Sequence, residues 1–148
     1  MSVPSPPPAS SSSDTGRAAN SLRLWGVVLL VLFLLTSTVG GSLSLESSYL
    51  AVTLASHIGL ALVTVGASGY ATSFVGRKYR AVPRSFAGLA ALAALGATVA
   101  GTVFLLAGQS NGALYAMEGL AGLGVLASLV LIAVGGPSGQ RLPAGDSP

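Results

Sequence analysis

Cysteine and charge are what this 148-residue sequence lacks most. It contains no cysteine, which excludes disulfides, thiolate metal sites and cysteine nucleophiles. Only 7% of its residues are charged, whereas soluble domains contain about 25% because their surfaces must hold water. Seven Lys and Arg against four acidic residues also make a poor nucleic-acid-binding surface. The composition therefore predicts a protein whose main solvent is the lipid bilayer, with no nucleic-acid partner.

Four apolar runs in the sequence are long enough to cross a membrane. Each reaches the roughly 20 residues that a helix needs to span the hydrocarbon layer. Backbone groups in lipid must be hydrogen-bonded within their own segment, so these runs should be helices. The runs cover residues 22–42, 49–74, 86–107 and 112–135. We predict an all-α membrane protein, a four-helix transmembrane bundle over residues 21–136.

The two ends of the chain differ in composition from these runs. Residues 1–20 are rich in Pro, Ser and Ala and have almost no large apolar side chain, and residues 137–148 are rich in Pro and Gly. Such segments bury too little apolar surface to offset the entropy lost on ordering. We therefore predict a disordered cytoplasmic tail at each end of the membrane domain.

The positions of the basic residues predict the orientation in the membrane. If the four helices alternate in direction, all seven fall on one side, and Lys and Arg are enriched on the cytoplasmic side. They precede the first helix, lie between helices 2 and 3, or follow helix 4: Arg17, Arg23, Arg77, Lys78, Arg80, Arg84 and Arg141. We expect a multi-pass protein of the cell membrane with both termini cytoplasmic. The basic loop 76–84 is expected to contact anionic lipid.

The two halves of the membrane domain resemble each other. Residues 38–41 in helix 1 match residues 98–101 in helix 3, and Gly59 in helix 2 matches Gly119 in helix 4, in each case 60 positions apart. Two helical hairpins with the same orientation predict a parallel repeat about an axis normal to the membrane. The alternative is a chance similarity between helices rich in Gly, Ala and Leu.

Small residues four positions apart are expected to let helix backbones approach each other closely. The pairs are Ala55 and Gly59, Gly96 and Ala100, Ala97 and Gly101, and Gly124 and Ser128. This pattern predicts a tightly packed bundle and carries no information about a substrate.

His57 is the only histidine, and it lies about two turns inside helix 2. An ionisable side chain at that depth is costly, so it is a candidate functional residue. Its imidazole can bind haem iron or another metal, or it can transfer protons. The structural alternative is a neutral histidine that is hydrogen-bonded to a neighbouring helix. The sequence leaves these roles open.

Glu118 is the only acidic residue inside a predicted helix, and it should lie at the depth of His57 because helices 2 and 4 run in the same direction. A His–carboxylate pair would stabilise both charges or share one proton. We therefore predict that helices 2 and 4 are neighbours and that His57 and Glu118 face each other. In the alternative, Glu118 is hydrated near the outer turn or interacts with its own helix N-terminus. Met117, at the His57 position of the repeat, is either a haem ligand or a packing residue.

Residues 22–136 resemble half of a haem A synthase-type or cytochrome b561-like membrane bundle. The resemblance rests on the order of the helical hairpins and on the sequence His57-Ile58-Gly59-Leu60 in helix 2. It implies a haem between the helices, with His57 as an axial ligand. Met117 and Glu118 stand in helix 4 where that family has its second histidine. The candidate haem site therefore consists of His57, Met117 and Glu118.

Three functions are compatible with these residues. The favoured one is a non-enzymatic subunit or accessory of a larger membrane complex, in contact with other membrane subunits or with further copies of itself, because the chain is small and its loops are short. The second is a haem-binding or haem-handling protein with His57 as ligand. The third is a proton-linked small carrier that uses His57 and Glu118. No phosphate-binding loop and no nucleophile–base pair is present, so no catalytic residue is predicted.

Overall fold

A computed structural model describes residues 12–42, 50–79, 81–107 and 110–135, which form four α-helices. These are α1 (Ser12–Ser42), α2 (Leu50–Lys78), α3 (Ala81–Leu106) and α4 (Asn111–Val134). Each contains a stretch long and apolar enough to cross a membrane. The shortest, α4, has 24 residues and is about 36 Å long at 1.5 Å per residue. The predicted all-α bundle of four transmembrane helices is confirmed, as expected of a small integral membrane protein.

α1 begins earlier than the sequence analysis indicated. It starts at Ser12, inside the segment 1–20 that was predicted to be a disordered tail. The last proline of that segment is Pro8, so no residue after it is incompatible with helical backbone geometry. The predicted tail at residues 137–148 lies outside the described residues.

The connection between α2 and α3 is shorter than the predicted basic loop 76–84. α2 continues to Lys78 and α3 begins at Ala81. Pro83 is compatible with this start, because a proline in the first turn of a helix removes no intrahelical hydrogen bond. Most of the basic segment is therefore helical, which fixes the positions of its charged side chains relative to the bundle.

The four helices pack as a closed ring in which each contacts the next and α4 contacts α1. α2 and α4 therefore lie on one diagonal, and α1 and α3 on the other. The prediction that helices 2 and 4 are neighbours is wrong, because short connections make consecutive helices adjacent antiparallel partners. If the first hairpin (α1 and α2) and the second (α3 and α4) change places, the order of helices around the ring is the same. The predicted parallel repeat requires this.

The pattern of buried residues supports the repeat and corrects its spacing. Between α2 and α4 the buried positions recur 60 residues apart: Thr64, Ser68, Ala71 and Val75 correspond to Gly124, Ser128, Leu131 and Gly135. Between α1 and α3 they recur 61 residues apart: Leu22, Gly26, Leu29 and Phe33 correspond to Pro83, Ala87, Ala90 and Ala94. The single spacing of 60 inferred from the sequence is thus one residue short for the first helix of each hairpin.

The bundle is packed tightly at one end and loosely at the other. All buried residues of the described chain lie in what we call the basic half, residues 19–33, 64–79, 82–94 and 124–135. None is buried in the open half, residues 34–42, 52–63, 95–107 and 110–123. The inward faces of the helices in the open half are only half-buried, so side chains there remain accessible from the surroundings of the bundle.

Glycines bring α1 and α4 close together in the basic half. A Cβ at Gly26 would lie 2.7 Å from Cγ1 of Ile132 and 3.0 Å from the carbonyl oxygen of Ser128. The ring of Phe33 occupies the space next to Gly124. This is the close backbone approach that small residues permit in membrane bundles.

Three of the four predicted small-residue pairs lie at helix contacts, and one does not. Gly96 packs against Leu120, and the pairs that contain Gly101 and Gly124 also face a neighbouring helix. Ala55 and Gly59 are exposed, and a Cβ at Gly59 would meet no atom within 4 Å. The expectation that this pair packs the bundle is therefore not met within the described chain.

Candidate functional site

His57 lies in the open half of α2 and contacts α1. Its Nδ1 is 3.0 Å from the backbone carbonyl oxygen of Thr36. A carbonyl oxygen can only accept, so Nδ1 must donate the hydrogen, and Nε2 of the neutral ring then carries the lone pair. This is an interhelical hydrogen bond of the kind that a structural histidine makes. Among the described residues, Nε2 has no hydrogen-bond partner, so its lone pair points away from this bond and has the chemistry of a metal ligand.

Gly40 provides the space for the imidazole. A Cβ at this position would lie 2.7 Å from Cε1 and 3.0 Å from Nδ1 of His57, closer than real Cβ contacts allow. Met117 has the same relation to Gly101, where a Cβ would lie 3.3 Å from its Sδ. The two Gly–side chain pairs correspond in the repeat. His57 and Met117 therefore pack within their own hairpins.

Replacing Gly40 by alanine should displace the His57 ring. We expect Gly40→Ala to break the bond to the Thr36 carbonyl and to lower the free energy of unfolding by about 1 kcal/mol, the usual net value of one hydrogen bond. The NMR signal of the Nδ1 proton should shift or disappear. Gly41→Ala is the matched control, because a Cβ there would meet no atom within 4 Å. Equal effects of the two substitutions would contradict this role of Gly40.

Glu118 is exposed on the surface of α4. Within the described part of the chain it has no hydrogen-bond or ion-pair partner. The structure therefore does not bring Glu118 and His57 together. Two features separate them: α2 and α4 lie on a diagonal, and Glu118 is one residue beyond the position equivalent to His57. One residue turns a side chain by about 100° around a helix.

The three residues of the candidate haem site are consequently not gathered at one point. Glu118 does not fit a ligand role inside the bundle, because it is on the exterior of α4. His57 and Met117 are both half-buried at equivalent positions of the two hairpins. Among the described residues no three His, Cys, Asp or Glu side chains lie close enough to hold a metal ion.

A chain of polar groups that the sequence analysis did not single out as a unit runs inward from His57. Thr36 connects it across the helices, because its carbonyl oxygen accepts from His57 and its hydroxyl is 3.0 Å from that of Thr64. Each of these two hydroxyls is also 2.7 Å from the carbonyl oxygen four residues before it. These are three contacts in all, and each needs a hydroxyl hydrogen. The two threonines have only two such hydrogens, so only two of the three hydrogen bonds form at one time.

Ser68 lies one turn further into the bundle. Its hydroxyl is fully buried and has no hydrogen-bond partner among the described residues. One further turn along α2, the Thr72 hydroxyl lies 2.8 Å from the carbonyl oxygen of Ser68 and 2.9 Å from that of Ala87 on α3, and its single hydrogen is shared between these two acceptors. Residues 57, 64, 68 and 72 share one face of α2 because they follow helical spacing. A search for polar residues at this spacing would have found the set from the sequence.

The second hairpin has no such polar chain. The equivalents of Thr36, His57, Thr64 and Thr72 are apolar or lack a side chain: Ala97, Met117, Gly124 and Ile132. Ser128, equivalent to Ser68, donates to the Gly124 carbonyl oxygen at 2.8 Å in its own helix. The two halves of the repeat thus share their packing but differ in chemistry.

Comparisons with protein-family models, with curated proteins and with solved structures each give no match for this chain.

Proposed function

We propose that this protein is a non-enzymatic subunit or accessory of a larger membrane complex, and that it binds a second membrane protein through the Glu118 face of α4. The candidate membrane span of α4 is Asn111–Val134. Glu118 lies about 7 Å from the middle of that span at 1.5 Å per residue. With a hydrocarbon layer about 30 Å thick, an exposed carboxyl at this depth is within the apolar region. Such a group is costly there unless it is paired.

The surface around Glu118 permits close approach of another helix. Gly119 and Gly122 are exposed, and a Cβ at either would meet no atom within 4 Å. Glycines on a membrane helix let a partner backbone come near, which shortens the distance to a polar group beside them. The partner chemistry that fits is a membrane-spanning helix with a Lys, an Arg or a neutral hydrogen-bond donor at the depth of Glu118.

The proposed location is the cell membrane, with both termini cytoplasmic. The basic side chains that the structure describes support this orientation, since Arg23, Arg77, Lys78 and Arg84 all lie at the same end of the bundle. Positive charge is enriched on the cytoplasmic side of membrane proteins. α1 begins and α4 ends at this end of the bundle.

The size of the native complex tests the proposed function. In membranes solubilised with a mild detergent, we expect the wild-type protein to migrate in native electrophoresis as a complex larger than the single chain. Glu118→Leu should release the single chain, whereas Glu118→Gln should retain part of the complex because it keeps the capacity for hydrogen bonding. Thr102→Leu is the control, since it also removes an exposed polar group from the open half. A complex that survives Glu118→Leu unchanged would contradict the proposal.

The second candidate function is haem binding by His57. It is favoured by the bond from Nδ1 to the Thr36 carbonyl, because metal-ligating histidines usually donate their other ring N–H to such an acceptor. Met117 would have to supply the opposing ligand. Wild-type protein purified with added haem should then show a Soret band, and the His57→Leu variant should lack it. A Soret band of the same strength in both proteins would exclude this role. The proton-linked carrier relied on contact between His57 and Glu118, and no observation supports it.

A further inference from the structure

A pocket lies on the surface of α2 at the end of the basic half. It is lined by Tyr70, Ser73, Phe74, Arg77 and Lys78. The rings of Tyr70 and Phe74 are stacked at 13°, with centroids 6.5 Å apart. The Lys78 ammonium lies 4.5 Å from the centroid of the Phe74 ring. The pocket therefore combines an aromatic wall with two cations where α2 leaves the apolar region.

The cations of this end have no matching anions among the described side chains. Arg23, Arg77, Lys78 and Arg84 lie here, and the one carboxylate whose exposure is described, Glu118, is in the open half. Arg77 and Lys78 are both exposed. Juxtamembrane cations are attracted to anionic headgroups by about 1 kcal/mol each, and a phosphate can bind two adjacent cations at once.

A stripe of small exposed residues, which we call the groove, leads from these cations towards the middle of the membrane. Gly66, Gly69 and Ser73 lie on the same exposed side of α2 as Arg77, and a Cβ at either glycine would meet no atom within 4 Å. From Arg77 to Gly66 the helix rises about 16 Å at 1.5 Å per residue. This matches the thickness of one leaflet, about half of the 30 Å hydrocarbon layer.

The corresponding surface of α4 has no groove and no cations. At the positions equivalent to Gly66 and Gly69, α4 has Leu126 and Leu129, and both side chains are exposed. Tyr70 corresponds to Val130, and Arg77 to Pro137. The groove and the charges therefore occur together in the first hairpin and are absent together from the second, which is expected if both serve one ligand.

We propose that the basic end of α2 binds one anionic phospholipid, with its phosphate between Arg77 and Lys78 and an acyl chain in the groove along Gly69 and Gly66. Tyr70 and Phe74 would contact the glycerol region, as aromatic residues do at membrane interfaces. The acyl chain requires small residues at 66 and 69, and the phosphate requires both cations. This site lies in the basic half, whereas Glu118 lies in the open half, and it does not depend on the partner proposed there.

Native mass spectrometry of the full chain in detergent tests the site by counting bound lipids. We expect dioleoyl phosphatidylglycerol to bind with a stoichiometry of one and more tightly than dioleoyl phosphatidylcholine. Arg77→Ala should weaken binding about fivefold, and Arg77→Ala with Lys78→Ala about 25-fold, because each cation contributes about a factor of five. Arg23→Ala is the matched control, since it removes a charge at the same end outside the pocket, and it should change binding less than twofold.

The groove is tested separately from the charge. Gly66→Leu places on α2 the residue that α4 has at the equivalent position, and it should weaken binding of phosphatidylglycerol without changing the net charge. Gly59→Leu, on the same face but beyond one leaflet, should leave binding unchanged. The proposal is overturned if both lipids bind equally, if Arg23→Ala weakens binding as much as Arg77→Ala, or if Gly66→Leu has no effect. It is also overturned if inorganic phosphate raises the Tm of the protein as much as phosphatidylglycerol does, because the site would then bind the phosphate group alone.

Discussion

Phe33→Ala is expected to lower the free energy of unfolding by about 3 kcal/mol, the lower end of the usual cost of replacing a buried phenylalanine by alanine. Phe33 is 3% exposed and its ring fills the space next to Gly124 on α4. Its removal leaves a cavity between α1 and α4, because Gly124 has no side chain to fill the space. In lipid, helix association depends on such packing contacts, because there is no hydrophobic driving force between helices.

The effect of Phe33→Ala is measured by thermal unfolding in detergent. Leu34→Ala is the control, since Leu34 is the next residue in the same helix and is 50% exposed. We expect Leu34→Ala to change Tm little. The reverse test is Gly124→Ala, whose Cβ would overlap the Phe33 ring and should destabilise the protein. Adding Phe33→Leu to Gly124→Ala provides a smaller side chain at position 33 and should partly restore the stability of the protein. Similar losses from Phe33→Ala and Leu34→Ala would show that α1 and α4 do not pack as described.

Gly26→Ala is expected to destabilise the bundle by about 1–3 kcal/mol, the usual cost of overpacking. Its Cβ would lie 2.9 Å from the backbone nitrogen of Ile132 and 3.0 Å from the carbonyl oxygen of Ser128. These are backbone atoms, so a side-chain rotation cannot relieve the clash and the helices must move apart. The expected effect is therefore at the upper end of that range.

Gly88→Ala is the control for Gly26→Ala. Gly88 also lies in the basic half, on α3, and a Cβ there would meet no atom within 4 Å. Alanine has the higher helix propensity, so Gly88→Ala should leave Tm unchanged or raise it slightly. If Gly26→Ala is equally well tolerated, the close approach of α1 and α4 is not a feature of the folded protein.

The sequence was sufficient to predict the number and nature of the helices. Apolar length is set by the thickness of the bilayer, so four runs of the required length specify four spanning helices. The start of α1 at Ser12 was missed because composition identifies a polar segment but not its backbone conformation. The extension of α2 to Lys78 is not apparent from the sequence for a related reason, because charged residues at a helix end have the same composition as a loop.

The candidate site was only partly predictable. The depth and identity of His57 were evident from the sequence, but its bond to the Thr36 carbonyl depends on Gly40, four residues further along α1. The proposed contact with Glu118 failed because burial in a helix depends on angular position as well as depth, and one residue is about 100°. The diagonal placement of α2 and α4 follows from the ring, in which short connections make consecutive helices adjacent.

The difference between the two hairpins is the feature of this bundle that bears most directly on function. Packing is shared, as the correspondence of buried positions shows. The polar chain from His57 to Thr72 and the proposed lipid site belong to the first hairpin, and the exposed Glu118 belongs to the second. Helix packing alone does not require the two hairpins to differ in this way. We therefore expect substitutions on these surfaces to alter binding, and substitutions between the helices to alter stability.

Site-specific photo-crosslinking in native membranes tests most directly whether the Glu118 face binds another membrane protein. Tyr115 lies one turn from Glu118 and is 69% exposed, so replacing it with benzoylphenylalanine exchanges one aromatic side chain for another. We predict one discrete crosslinked protein product at this position, reduced at least tenfold by Glu118→Leu, and none from the same probe at Val99, which is exposed on α3. A product that is equally strong in Glu118→Leu, or the absence of any discrete product at position 115, would contradict the proposed function.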